Sequence, residues 1–209
     1  MISDCTRCPS LCASRTQVVM PDLPDFGRSC RLLVIGEAPG ADEDAQGKGF
    51  VGRAGRTLHR LLEEYGLRRG YDYGCANIVR CRPEGNRKPT NQEIANCLPY
   101  LAGTIANARP EVVLTVGATA IAALTGIAKL ESNIGTLDAN GHDPQKAACL
   151  YREDFRLAWP QGTLLYAMPH TSPLAWNRNA PDGRKWSAIG EEVVRKAASF
   201  LRAKPTIPG

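Results

Sequence analysis

Four short apolar runs divide the chain, and three of them are followed directly by a polar or glycine-rich segment. Aliphatic and β-branched residues dominate these runs, which is typical of buried strands. The runs span residues 31–35, 75–79, 111–116 and 163–168. We therefore predict four short, buried strands.

Between the strands, apolar residues recur at a spacing of three and four, which predicts amphipathic helices. Residues 52–66 carry one such stripe, and Gly66 ends it, as a glycine after a helix often does. Thr90 and Glu93 have the spacing of a capping box, which predicts a helix over residues 91–108. The remaining predicted helices are an alanine-rich one between Gly117 and Gly126 and a closing one over residues 187–202.

Strands and helices alternate, and this order predicts an α/β fold in which helices cover a mainly parallel sheet. In such sheets, ligands bind at the carboxyl ends of the strands. Three strands run directly into polar or glycine-rich segments, at residues 36–40, 77–82 and 170–178. We expect these three segments to converge in one cleft.

The chain has 209 residues, of which 43% are hydrophobic, and this fits one packed domain. We expect it to cover residues 1–209, with a loop-rich insertion containing a short hairpin at about 136–161 and a frayed tail at 205–209. No apolar run approaches the ~20 residues that cross a bilayer, and the N-terminus lacks the apolar stretch of a signal peptide. We expect a cytoplasmic monomer without membrane contact. The net charge of +5 permits nucleic-acid binding without proving it.

Eight cysteines without a secretion signal indicate metal binding, redox chemistry or packing more strongly than disulfides. Cys5 and Cys8 form a C-x2-C pair, and fifteen residues separate Cys81 from Cys97. Four thiolates suit a structural site for zinc or an iron–sulfur cluster, and the ligand type does not separate the two. The alternative is four buried or incidental cysteines. We expect the other four cysteines to pack as small apolar residues.

Six segments, in their order along the chain, resemble the iron–sulfur-containing family 4 uracil-DNA glycosylases. They are Cys5-Thr-Arg-Cys8, Gly36-Glu-Ala-Pro-Gly40, Gly47-Lys-Gly-Phe-Val-Gly-Arg-Ala-Gly55, Asn77-Ile-Val-Arg-Cys-Arg-Pro83, Cys97 and His170-Thr-Ser-Pro-Leu174. The resemblance implies a four-stranded parallel sheet flanked by helices and the excision of uracil from DNA in base-excision repair. It also implies a [4Fe–4S] cluster rather than zinc, with the ligands Cys5, Cys8, Cys81 and Cys97.

The resemblance implies that three side chains form a base pocket. The Phe50 ring stacks on uracil, and the Asn77 amide pairs with its O4 and N3–H edge while rejecting cytosine. His170 is the best catalytic candidate of the three histidines, as a donor to uracil O2 while negative charge forms there. The structural alternatives are a core phenylalanine, a turn asparagine and a surface histidine.

Glu37 lies in the first tight turn and is expected to orient the attacking water or to stabilise the cationic sugar. Backbone contacts to the base are expected at Gly36, Ala38 and Gly40. The next three carboxylates are expected to be solvated: Asp42, Glu43 and Asp44.

The segment after the fourth strand carries the expected DNA contacts. Its proline offers Leu174 to the double helix, where an apolar side chain can fill the gap left by a flipped base. Ser172 and Arg178 are expected to contact phosphates, together with the amides of residues 52–55. The alternative for Leu174 is a loop residue folded back on the core.

Residues 82–96 contain no histidine that matches the DNA-crosslinking histidine of some relatives, and no lysine is placed as an imine-forming nucleophile. We therefore predict a monofunctional glycosylase that turns over and leaves an abasic site. The segment from His170 to Arg178 departs from the usual family motif, which leaves the substrate range open. The alternatives are a glycosylase for another deaminated base such as hypoxanthine, a non-catalytic nucleic-acid-binding iron–sulfur protein, and a zinc-stapled protein of unrelated function.

Overall fold

The computed structural model describes residues 2–25, 29–136, 150 and 152–203. Its centre is a sheet of four parallel strands in the order β2-β1-β3-β4. The strands are β1 (Leu32–Gly36), β2 (Tyr73–Asn77), β3 (Val112–Val116) and β4 (Leu164–Met168). The predicted α/β class with four short parallel strands is confirmed.

Helices cover both faces of the sheet and form a three-layer structure. They are α1 (Pro9–Ser14), α2 (Ala41–Gln46), α3 (Arg53–Glu64), α4 (Asn91–Ala108), α5 (Ala118–Thr125), α6 (Leu130–Thr136), α7 (Glu153–Ala158), α8 (Pro173–Trp176) and α9 (Trp186–Ala203). Alternate residues of β1 enter different cores, because successive side chains of a strand point to opposite faces. Leu33 and Ile35 pack with α4, α5 and α7, whereas Leu32 and Val34 pack with α3 and α9.

The predicted helices of the core are confirmed. The Glu93 N–H donates to Thr90 Oγ1 at 3.2 Å and the Thr90 N–H to Glu93 Oε2 at 2.7 Å, which forms the predicted capping box of α4. Gly66 follows α3 with a left-handed φ of 79°, and α9 extends one residue beyond its predicted span at each end. None of the helices within the described ranges is both long and apolar enough to span a bilayer.

The second strand begins and ends two residues earlier than predicted, at Tyr73–Asn77 instead of 75–79. Gly74 interrupts the apolar run there, and so the pattern placed the strand too late. A β-carbon on Gly74 would lie 2.7 Å from the carbonyl oxygen of Asp22. Glycine is therefore needed for the close approach of the N-terminal arm to this edge of the sheet.

The prediction of a loop-rich insertion at 136–161 is wrong over its second part, where helix α7 lies. Phe155 lies in this helix and Trp159 directly follows it, about one helical turn further along the chain. Their exposed fractions are 0% and 3%. They belong to the core beneath α4, so this segment contributes to folding. No hairpin occurs in the described part of the insertion; residues 137–149 and 151, like the tail at 204–209, lie outside the described residues.

Candidate active site

The carboxyl ends of the strands surround a cavity of about 490 Å³. Eight of the expected site residues line it: Gly36, Glu37, Ala38, Gly40, Phe50, Asn77, His170 and Ser172. Leu174 and Arg178 are not among its lining residues. The segments after β1, β2 and β4 therefore converge in one cleft, as expected from the strand order.

Glycine at position 36 gives Phe50 and Asn77 room to lie together. A β-carbon on Gly36 would lie 2.6 Å from Asn77 Oδ1 and 2.6 Å from Phe50 Cζ. Asn77 closes β2 opposite Gly36 and is 9% exposed, and its side chain has no hydrogen bond to any described residue. An aromatic face and an unengaged amide are thus next to each other at the wall of the cavity.

Phe50 has a left-handed backbone, with a φ of 59°. Residues with a β-carbon rarely adopt this conformation, which persists only where surrounding contacts impose it. Gly55 permits the start of α3 to pack directly on this backbone, because a β-carbon there would lie 2.0 Å from the Phe50 carbonyl oxygen. The glycines around Phe50 thus serve to seat its backbone, and the half-buried ring lines the cavity.

His170 follows β4, and its Nδ1 accepts a hydrogen bond of 3.1 Å from the Ser172 N–H. Because Nδ1 is the acceptor, the proton of the neutral imidazole lies on Nε2. Burial lowers the pKa of His170 from its ordinary value, while the negative charge of Glu37 acts in the opposite direction. His170 is therefore a neutral hydrogen-bond donor in the wall of the cavity.

Glu37 lies in the turn after β1 and lines the cavity. The Val79 N–H donates to its backbone carbonyl at 3.0 Å, which fixes the turn. Its carboxylate has no hydrogen bond to any other described residue. The Glu37 carboxylate is therefore available to a water molecule or a ligand in the cavity.

The expectation that the three carboxylates of α2 are solvated is correct for Asp42 and wrong for Glu43 and Asp44. Glu43 accepts from the Gly40 N–H at 3.0 Å and from the Gly52 N–H at 2.7 Å. Asp44 is 2% exposed and accepts a 2.9 Å hydrogen bond from the N-terminal arm. Because the Gly40 and Gly52 N–H groups donate to Glu43, they are not available for the expected contacts, of Gly40 with the base and of Gly52 with a phosphate.

Among the other lining residues that the sequence pattern had not placed in the cavity are Asn86 and Arg87. Asn86 has a left-handed φ of 57°, and Arg87 forms an ion pair with Glu93 of α4 at 2.7 Å. They lie in the irregular segment between Cys81 and Thr90, where hydrophobic periodicity gives no signal. The ion pair joins the rim of the cavity to the start of α4.

The four expected metal ligands lie in one patch, where the N-terminal arm meets α4 and the loop after β2. Burial raises the pKa of the Cys97 thiol to about 11, and the neighbouring Cys81 and Cys8 act in the same direction. Burial also raises the pKa of Cys81, against the hydrogen bond from Arg15, and Cys5 adds to the increase. Within the described ranges, no three histidine, cysteine or carboxylate side chains are grouped around a position for a single metal ion.

The expected packing role of the other cysteines is confirmed for Cys30 and Cys75, which are buried in the two cores. Cys12 differs, because it lies beside a ligand of the expected cluster and its Sγ is 3.5 Å from the Cys5 carbonyl oxygen. Cys149 lies outside the described residues.

Comparison with known proteins decides the family. The family model of the Uracil DNA glycosylase superfamily matches residues 24–193. The chain belongs to this superfamily. A Type-4 uracil-DNA glycosylase of Thermotoga maritima is 43% identical over 201 residues, which are 96% of this chain and 91% of that protein. A Type-4 uracil-DNA glycosylase of Pyrobaculum aerophilum is 39% identical over 125 residues, 59% of this chain and 61% of that protein.

A Type-5 uracil-DNA glycosylase of Pyrobaculum aerophilum is less similar, at 29% identity over 222 residues, with 94% of this chain and 88% of that protein covered. The higher identity to the Type-4 protein of Thermotoga maritima, over an equally large part of the chain, places this member of the superfamily with the Type-4 glycosylases. The resemblance drawn from the six sequence segments is thereby confirmed.

The segment after β4, which departs from the usual family motif, exposes an apolar side chain at the surface of the protein. Leu174 lies on the short helix α8 and is 78% exposed, so the alternative of a side chain folded back on the core is wrong. The Thr171 hydroxyl donates to the Ala54 carbonyl at 2.8 Å and ties the base of the segment to α3. Arg178 lines a second groove of about 650 Å³, which adjoins His170.

Proposed function

We propose that this protein is a monofunctional uracil-DNA glycosylase of DNA base-excision repair. It hydrolyses the N-glycosidic bond of uracil in DNA and leaves an abasic site. The observation that carries the proposal is the hydrogen bond from the Ser172 N–H to His170 Nδ1, at 3.1 Å. This bond leaves a neutral Nε2–H donor in the cavity that Phe50 and Asn77 also line.

Recognition of the base rests on Phe50 and Asn77. A base inside a duplex is inaccessible, so the uridine must first rotate out of the stack. The Phe50 face then supports the flipped ring, and such stacking is worth about 1–3 kcal/mol per base. The Asn77 amide donates to uracil O4 and accepts from N3–H, whereas cytosine presents the reversed pattern. Gly36 supports this pairing, because a larger residue would collide with both side chains.

Bond cleavage depends on the stability of the departing uracil. When the C1′–N1 bond breaks, its electron pair stays on the base, and much of the negative charge lies on O2. The His170 Nε2–H donates to this oxygen as the charge forms. A preorganised donor of this kind typically contributes about 2.7–4 kcal/mol to the transition state.

Glu37 acts on the sugar side of the reaction. The sugar becomes oxocarbenium-like as the base leaves, and a carboxylate stabilises this positive charge. Water adds its oxygen to C1′ and gives up one proton, which balances the charge of the departing uracil anion, and Glu37 orients that water. The absence of hydrogen bonds between the Glu37 carboxylate and other described side chains supports this role.

The segment after β4 holds the DNA. Leu174 fills the space that the flipped base leaves in the duplex, and its exposure of 78% supports this role. Ser172 and Arg178 contact the phosphates on either side. The partner is uracil-containing DNA, and the mildly basic surface suits it, since the net charge is +5.

A [4Fe–4S] cluster held by Cys5, Cys8, Cys81 and Cys97 accounts for the cysteine patch. The donor set is entirely thiol, as such clusters require. An all-thiol donor set also suits zinc, and we propose the cluster because the resemblance to the iron–sulfur-containing glycosylases implies it. When bound, the cluster supplies a structural crosslink between the N-terminal arm, the loop after β2 and α4. We place the protein in the cytoplasm as a monomer.

The test is release of bases from oligonucleotides that each carry one lesion, followed by alkali and gel electrophoresis. We expect a break at uracil only after alkali treatment, because a monofunctional enzyme leaves the strand intact. Asn77→Ala should lose at least about tenfold in rate through its lost hydrogen bonds. The matched control Asn107→Ala, on the exposed side of α4, should equal the wild type.

Three outcomes contradict parts of the proposal. No break at uracil ends the enzyme assignment and favours a nucleic-acid-binding protein. A break at hypoxanthine but not at uracil identifies another deaminated base as the substrate. A break before alkali treatment contradicts the monofunctional mechanism.

A further inference from the structure

The left-handed backbone of Phe50 is anchored from a side that does not belong to the cavity. His59 of α3 places its Nε2 2.8 Å from the Phe50 carbonyl oxygen. Arg69 donates from Nη2 to the preceding carbonyl, that of Gly49, at 2.6 Å. Two consecutive carbonyls are therefore held by side chains that are absent from the cavity lining.

Each of the two anchoring side chains is itself fixed. Asp22 of the N-terminal arm accepts from Arg69 Nε at 2.7 Å, so the guanidinium has a set orientation. The hydroxyl of Tyr73, the first residue of β2, lies 2.8 Å from His59 Nδ1. The group of Asp22, Arg69, His59 and Tyr73, which we call the Phe50 anchor, thus connects the loop to three separate parts of the chain.

The anchor supplies a donor to the Phe50 carbonyl in either tautomer of His59. The Nε2 of His59 lies 2.7 Å from Arg69 Nη1 as well as 2.8 Å from the carbonyl, and it cannot accept from one and donate to the other. With the proton on Nε2, His59 donates to the carbonyl and accepts from the Tyr73 hydroxyl. With the proton on Nδ1, Nε2 accepts from Arg69, whose Nη1 also reaches the carbonyl at 3.4 Å.

The charge balance favours a neutral imidazole in this place. Burial lowers the pKa of His59, and the positive charge of Arg69 lowers it further; the contact with the Phe50 carbonyl, and then Glu63 and Asp22, act in the opposite direction more weakly. Among the described residues, Arg69 is therefore the cation that touches the carbonyls of Gly49 and Phe50, whereas Arg56 donates to the next carbonyl, that of Val51. Its ion pair with Asp22 keeps that cation in place.

We propose that Arg69 and His59 are positioning residues for base excision, which hold the strained Phe50 backbone so that its ring forms the uracil-stacking platform. This inference rests on the proposed function, since it assigns the anchor a role in binding uracil. Neither residue touches the base. When these side chains are removed, the Phe50 backbone relaxes toward the ordinary φ range. The ring then leaves its position beside Asn77, where both side chains lie close to Gly36.

The experiment measures inhibition by free uracil together with kcat/KM on a uracil-containing oligonucleotide. Removing the ring in Phe50→Ala should weaken uracil inhibition by roughly 5- to 150-fold, the range of base stacking. Arg69→Ala should weaken it by roughly fivefold or more through the displaced ring. Arg68→Ala is the matched control, because Arg68 is exposed and, among the described residues, its side chain pairs only with its neighbours Tyr71 and Asp72.

A double-mutant cycle separates positioning from general destabilisation. If Arg69 acts through Phe50, then Arg69→Ala should change uracil inhibition little when Phe50 is already alanine. Affinity for undamaged duplex should stay at the wild-type value in both backgrounds. Additive losses in the cycle, or an Arg69→Ala variant with unchanged uracil inhibition, overturn the proposal.

If Arg69→Ala does not fold, His59→Ala carries the same cycle, because His59 contacts the same Phe50 carbonyl. The proposed function and the anchor fail in different ways. A wild-type protein that releases no uracil contradicts the function itself. An active wild type whose Arg69 and His59 variants are uncoupled from Phe50 contradicts the anchor alone.

Discussion

The Ser172 N–H donates to His170 Nδ1 over 3.1 Å, and this bond determines which ring nitrogen of His170 carries the proton. Gly117 helps to seat the ring, because its φ is 93° and a β-carbon there would lie 3.3 Å from His170 Cδ2. The Nε2–H donor of His170, to which we assign the catalytic role, is therefore set by backbone groups. No reorganisation is needed when negative charge forms on the base.

The pH dependence of activity should follow this hydrogen bond. Protonation of His170 places a hydrogen on Nδ1, opposite the Ser172 N–H, and breaks the contact that holds the ring. Because burial lowers the pKa of His170, with Glu37 opposing, the neutral ring persists below its ordinary pKa. We expect kcat/KM to stay level down to about pH 6.5, the usual histidine pKa, and to fall below it. A pH–rate profile that falls already above this value argues against a neutral donor.

Glu43 should stabilise both loops that flank the cavity. It accepts from the Gly40 and Gly52 N–H groups, which belong to the starts of α2 and α3. We expect Glu43→Ala to lower the free energy of unfolding by about 0.5–2 kcal/mol, the range for a lost helix cap, and to reduce kcat/KM. Urea unfolding and kinetics check this against Glu191→Ala on the exposed side of α9. Equal behaviour of the two variants contradicts the role of Glu43.

Glu93 should make the fold resistant to mild acid. The hydrogen bond from Arg87 holds the pKa of this carboxyl at about 2, with the Thr90 N–H and the Ser10 hydroxyl adding to the effect against the cost of burial. We expect Glu93→Gln to lower the free energy of unfolding at pH 7 by about 1.5–3 kcal/mol.

The lowered pKa of Glu93 determines how its contribution to the free energy of unfolding changes with pH. The stabilisation is present above the ordinary glutamate pKa of about 4.3 and is lost as the pH falls towards 2. Unfolding of the wild type and Glu93→Gln in urea should therefore converge at low pH. A difference between them that stays constant from pH 7 to the lowest pH at which the protein folds contradicts this account.

The cysteine patch should lose its metal when one ligand is removed. Cys97→Ala should yield a colourless protein with little iron, whereas Cys30→Ala should keep the brown colour and the iron of the wild type. Cys30 is the matched control, since it is buried in the core on the same face of the sheet. Iron analysis and visible absorption measure the result. Zinc in place of iron in the wild type contradicts the cluster.

Much of the fold was predictable because local signals agreed with the tertiary structure. Three of the four strands, β1, β3 and β4, are short apolar runs, and the capping box of Thr90 and Glu93 marked the start of α4. The cleft was predictable from topology, because parallel strands end at one edge of the sheet. The roles of Phe50, Asn77 and His170 came from the family resemblance and stay predictions.

The features that sequence could not predict depend on contacts between distant segments. Glu43 looked solvated because its partners are backbone N–H groups, one of them nine residues away. Arg69 reaches a carbonyl twenty residues back in the chain, which no periodicity indicates. The glycine at position 74 obscured the start of β2 in the sequence, because the chain needs a glycine there for the close approach of the Asp22 backbone. The spacing of four between the apolar residues Phe155 and Trp159 could have predicted α7, but the polar residues around them obscured this pattern.

Single-turnover excision of uracil by the wild type and by His170→Ala decides whether His170 is the donor to the departing base. We expect His170→Ala to fold and to bind uracil-containing DNA as the wild type does. The rate of base release should fall by about 10²–10³-fold, as for the loss of one preorganised donor. A His170→Ala variant that releases uracil at the wild-type rate shows that His170 is not this donor.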